Sequence, residues 1–81
     1  MAKTDKLLAK AKNSPQNISF TELQTLADAY GLPLKPGKGG GSHYIQRLPD
    51  GIKNTIPRHG NRVLWIYVKR VVDAIEAFGH K

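Results

Sequence analysis

His43 follows three glycines and a serine, in the stretch "KPGKGGGSHYIQR" that runs from residue 35 to 47. A histidine titrates near neutrality and can act as a general base without a metal. Cations beside it would hold a phosphate and stabilise the charge that develops on its oxygens. The chemistry that suits this set of residue types is RNA cleavage: the base removes a 2′-hydroxyl proton and that oxygen attacks the neighbouring phosphate. In this reading His43 is the base, Lys38 and Arg58 contact phosphate, and Ser42, Arg47 and Lys35 also line the RNA path. The alternative is a solvated histidine on a strand.

His59 is a possible helper, a second acid–base group, although a histidine in a turn is ordinarily structural or solvated. His80 lies near the chain end and carries no expected role. A Ser42–His43 nucleophile pair is disfavoured, because neighbours on a strand point to opposite faces. No His-x-x-His or His-x-x-x-His spacing occurs and no carboxylate adjoins the histidines, so neither a metal site nor any other cofactor is expected.

The glycines invite two phosphate-binding motifs, and both fail. A P-loop requires Lys after its last glycine, where this chain has Ser42. The dinucleotide fingerprint would place its third glycine at position 42, again Ser42, and a strand rather than a helix follows. Two roles stay open for the run: a looser backbone cradle aided by Lys35 and Lys38, or a plain connection that leaves the approach to His43 clear.

These 81 residues are enough for one small domain. Apolar residues make up 40% and fall into periodic runs, which argues for a folded core. The formal net charge is +7, which suits a polyanion such as nucleic acid, or an acidic protein. Cysteine is absent, so neither disulfides nor Cys-based metal sites are available. The start "MAKTDKLLAKAK" has no apolar stretch suited to a signal peptide, and nothing in the chain is long and apolar enough to span a bilayer. The expectation is a cytoplasmic protein with no membrane contact and no small-molecule cofactor.

The elements that must position His43 read as follows. Residues 4–12 form a short helix capped by Thr4 or Asp5, with Leu7, Leu8 and Ala11 as its apolar stripe. Its lysines also permit a solvated arm or a basic membrane-surface segment, for which the stripe is short. A turn at 13–17 closes this N-terminal unit. In "SFTELQTLADAYG", Ser19 and Glu22 have capping-box spacing, and Phe20, Leu23, Leu26, Ala27 and Tyr30 mark the core face. Gly31 sits where a helix C-terminal glycine belongs. Three strands follow, over 32–35, 42–48 and 52–56, the last two joined by the turn "PDG". A final helix from Trp65 to Gly79 presents Trp65, Val68, Val72, Ile75 and Phe78, or Val71 in the middle, to the core, with Asp73 paired to Lys69 and Arg70.

The expected class is α+β: a three-stranded antiparallel sheet packed on helices, in one domain over 1–81 with the helix and turn of 1–17 added in front. The α-β-β-β-α order is that of double-stranded RNA-binding domains. One conflict arises within the strand at 42–48. Alternation puts His43, Ile45 and Arg47 on one face, where Ile45 asks for the core and His43 for solvent. Projection beyond the sheet end or a glycine-induced bulge would reconcile them.

"GGSHYI", then "PDG", then "TIPRHG" and a C-terminal helix resemble the HicA-type toxins of prokaryotic toxin–antitoxin systems, over about residues 6–76. The upstream helix resembles that of members with an N-terminal extension. The resemblance implies a double-stranded RNA-binding-like fold and a metal-independent mRNA endonuclease. Its essential histidine matches His43 of Gly41-Ser42-His43. It further implies a HicB-type antitoxin that covers this histidine and represses the operon. Gln46 departs from a usual aromatic, Asn54 from a usual aliphatic and Trp65 from a common proline, while Ile52 adds apolar area to the hairpin. Two alternatives remain: a non-catalytic RNA-binding module of the same fold, or a basic protein that mainly binds an acidic protein partner.

Overall fold

The computed structural model describes residues 3–37 and 42–79. Its order is α1 (Lys3–Asn13), a 3-10 turn (Pro15–Asn17), α2 (Phe20–Ala29), β1 (Leu34–Pro36), β2 (His43–Arg47), β3 (Lys53–Pro57) and α3 (Trp65–Phe78). The strands form one antiparallel sheet in the order β1-β2-β3. The architecture is thus α+β, with three helices and a three-stranded antiparallel sheet.

Local chemistry sets the ends of α2. The Ser19 hydroxyl accepts from the Glu22 backbone N–H at 3.1 Å, and the Glu22 carboxylate accepts from the Ser19 N–H at 3.0 Å. Two helix donors that have no intrahelical partner are satisfied in this way. At the other end, Leu32 N–H donates to the Ala27 carbonyl and Gly31 N–H to that of Asp28, the paired bonds of a Schellman stop.

The β2–β3 connection is a three-residue loop of the expected kind. Gly51 N–H donates to the Leu48 carbonyl, Asp50 Oδ1 accepts from Ile52 N–H, and Gly51 has φ +87°. A type I turn followed by a glycine in the left-handed region matches the strand twist. It fixes the register, with Arg47 opposite Lys53 and His43 opposite Pro57.

One sheet face is buried and the other faces solvent. Leu34, Gln46 and Ile56 lie inward with half-buried Tyr44, against Phe20, Leu23, Leu26 and Ala27 of α2 and Val68, Val71, Val72 and Ile75 of α3. The helix α1 belongs to this layer: Ala11 is fully buried, and Leu7 and Leu8 pack on the core. Lys10 pairs with Glu22 at 3.1 Å and Lys12 with Glu76 at 2.8 Å, tying α1 to α2 and α3. It is therefore not a solvated arm. Among the described residues no helix is long and apolar enough to cross a membrane.

Several expectations need correction. The helix α1 begins at Lys3, so Thr4 and Asp5 lie within its first turn rather than capping it. The strand β1 runs over Leu34–Pro36, with buried Leu32 still in the connection after the Schellman stop. Ile52 directly follows the three-residue loop, 60% exposed, and adds nothing to the sheet's apolar face. Trp65 is 51% exposed at the start of α3, and Ala74 rather than Trp65 completes that helix's buried face. Lys69 and Arg70 form no ion pair with Asp73 among the described residues; they lie over the Trp65 and Tyr67 rings, at 5.7 and 5.5 Å. A flat ring within reach competes with a carboxylate on an exposed helix face, where each attraction is weak.

Candidate active site and basic sheet face

The strand β2 sorts its residues by face. Tyr44 and Gln46 point into the core, while His43 and Arg47 are exposed and Ile45 is half-buried on the outer side. Pairing with β3 is continuous from His43↔Pro57 to Arg47↔Lys53, so no bulge re-aims the histidine. The conflict between Ile45 and His43 resolves differently: both take the outer face, and the core position goes to Gln46. Burial of that amide is compensated on both sides. Its Nε2 donates to the Leu32 carbonyl at 2.9 Å, and its Oε1 accepts from Asn54 Nδ2 at 3.0 Å.

His43 opens β2, and its backbone is bonded from the β1 side. Its carbonyl accepts from Gly37 N–H at 3.0 Å, and its register partner is Pro57. A Cβ on Gly37 would come within 3.3 Å of that carbonyl oxygen, so glycine here gives clearance for a close backbone approach. Ser42 is exposed; its carbonyl accepts from Arg58 N–H at 2.6 Å and extends the ladder one step beyond His43. Lys38 and Gly39–Gly41 lie outside the described residues, as does His80.

Arg58 is a half-buried tie between layers. Its Nη1 donates to Tyr44 Oη at 3.1 Å, and its Nε donates to the Gly60 carbonyl. The guanidinium lies 4.9 Å from the Phe20 ring centre and 5.8 Å from that of Tyr44, and those rings are themselves 4.7 Å apart. A cation is thereby fixed beside the residue that follows His43, with donors left over from its fork of five. His59 is exposed, exchanges both backbone hydrogen bonds with Arg62, and lies two residues past Pro57, the partner of His43. The chain thus brings His43, Ser42, Arg58 and His59 to one end of the hairpin.

Lys35 and Arg47 fall elsewhere on the outer face. Lys35 pairs with Ile45, and Arg47 pairs with Lys53, at the end of β2 away from His43. With Pro33, Pro36, Gly37 and Ile45 they line a concavity of about 650 Å³. Sequence reasoning missed Lys53 and Ile45 here. The signal for Lys53 was present: a three-residue loop after Leu48 forces residue 53 opposite residue 47. Tyr44, which anchors Arg58, was not legible as an inward position, because alternation with Ile45 in the core turns it outward.

Among the described residues no group of three or more His, Asp or Glu side chains could hold a metal ion. The candidate site thus consists of an open histidine, a fixed arginine and a basic outer face. Compared with known proteins, the chain matches no family model, no curated protein and no solved structure.

Proposed function

We propose that this protein is a HicA-like toxin, an mRNA endoribonuclease with His43 as general base, in a double-stranded RNA-binding-like arrangement of α2-β1-β2-β3-α3. The observation that carries this reading is the placement of His43. It is exposed at the start of β2, on a sheet face whose other ionisable residues, Lys35, Arg47 and Lys53, are all cationic. Such a face attracts a phosphodiester and leaves the imidazole open to its 2′-hydroxyl.

In the reaction, His43 takes the 2′-hydroxyl proton and the 2′-oxygen forms a bond to the adjacent phosphorus. The bond from phosphorus to the 5′-oxygen breaks, and the leaving oxygen takes a proton from water or from His59. The products are a 2′,3′-cyclic phosphate and a 5′-hydroxyl. Arg58, held by Tyr44 and Gly60, offers a fixed charge to the phosphorane. Lys38 is a further proposed phosphate contact. No cofactor takes part. The partner is an acidic HicB-type antitoxin that covers His43, and the setting is a prokaryotic cytoplasm.

The test is cleavage of single-stranded RNA by the purified chain in the presence of chelator. His43→Ala is expected to abolish cleavage while its far-ultraviolet dichroism and melting temperature stay unchanged, because the exposed side chain carries no core contact. Equal cleavage by the variant would sink the assignment. Salt-sensitive RNA binding with no cut products would favour a non-catalytic RNA-binding module.

A further inference from the structure

Arg47 and Lys53 face each other across β2 and β3, and Lys35 is the diagonal neighbour of Arg47 through its pairing with Ile45. Like charges directly opposite on a sheet destabilise it. None of the three cations has an ion pair or side-chain hydrogen bond among the described residues, and no acidic residue lines their concavity. Ile45, Pro33 and Pro36 supply an apolar floor between them. The fold therefore keeps a repulsive cluster around a hollow, which an anion with an apolar part would relieve.

We infer that this concavity is a second RNA subsite, one that holds a backbone phosphate of a single strand between Lys35, Arg47 and Lys53 with its nucleoside against Ile45 and Pro33. The inference rests on the nuclease reading only for the identity of the ligand. Arg47 lies four residues along β2 from His43, about 13 Å at the rise of a strand. A strand of RNA seated here reaches His43 with its scissile phosphate a few nucleotides away. The subsite acts in positioning and touches no reacting atom. It grips phosphate and apolar surface and offers few donors for base edges, so its contribution is nearly independent of sequence.

The test uses the cleavage-blocked His43→Ala chain and a fluorescein-labelled single-stranded polyuridine oligomer, with affinity measured by anisotropy across a salt series. Adding Lys53→Ala is expected to weaken binding several-fold at low salt. It should also reduce the slope of log affinity against log salt by about 0.7, the loss of one phosphate contact. Adding Arg47→Ala should repeat this, while Lys6→Ala, which removes an exposed cation from α1, changes little. Lys53→Ala also removes a like-charge contact, so its melting temperature should hold or rise, which separates lost binding from lost folding. Binding and slope equal to those of Lys6→Ala, or no binding of the oligomer by the His43→Ala chain, would overturn the subsite. Failure of the nuclease reading is read separately: no cleavage by the unmutated chain, with the Lys53 effect intact, removes the reaction and leaves the subsite standing.

Discussion

Gln46 has no exposed surface, yet it is an amide in a core of aliphatic and aromatic side chains. Its two partners explain this. It bonds the Leu32 carbonyl, which leads into β1, and the Asn54 amide, its register partner on β3. Gln46 and Asn54 thus face each other across β2 and β3, and the Asn54 amide satisfies the Gln46 oxygen. Gln46→Leu keeps the volume but strips partners from Leu32 and Asn54, and should cost about 1–3 kcal/mol. Adding Asn54→Leu removes one of the orphaned groups, so the double variant should be less unstable than the sum of the singles, with a coupling of about 0.5–3 kcal/mol. Urea melts of the four chains measure this, and strict additivity would show that the pair is not coupled.

At the scale of elements, the parts legible in the sequence were those whose cause is local. The capping box of α2, its glycine stop and the "PDG" turn each depend on residues within a few positions of one another, and all three formed. Trp65, Ile45 and Gln46 depend on which strand lies opposite and where α3 starts, and residue type alone misplaced them. His43 was legible as a candidate by type and spacing, whereas Lys53 needed the register. The capping box also carries a pH dependence. The Ser19 N–H, and then Lys10, hold the Glu22 carboxyl below its usual 4.5. A lowered folded-state value contributes stability that is present above 4.5 and is lost as pH falls through the folded value. The advantage of the natural chain over Glu22→Gln in urea melts should therefore be clear at neutral pH and shrink as pH drops below 4.5. Ser19→Ala, which removes the other half of the box, should cost about 1 kcal/mol. At the start of α3, Trp65→Ala should cost below about 1 kcal/mol, against about 2 for the fully buried Val68→Ala. Because Trp65 is the sole tryptophan and half exposed, its emission should shift little on unfolding. A strongly blue emission in the native chain would contradict its placement.

Charge is distributed by layer across the whole molecule. Of the 6 acidic residues, all but Asp50 in the hairpin loop lie on the helices, and none lies on a strand. Two of them, Glu22 and Glu76, are paired to α1 lysines. The excess of +7 is thus least compensated on the open sheet face. Such an imbalance repels itself in the free protein, and added salt screens the repulsion. The melting temperature of the free chain should therefore rise as salt is added. A bound single-stranded RNA reverses that sign. Ligand at a hundredfold excess over its Kd stabilises by about 2.7 kcal/mol, and each kcal/mol is worth roughly 4–8 °C in a domain of this size. Salt weakens RNA binding steeply, so this increment should fade as salt rises. Melting curves of the His43→Ala chain with and without polyuridine should accordingly converge from opposite directions along a salt series. A gap that persists at high salt would mean that the RNA is held by contacts other than the cations of the open sheet face.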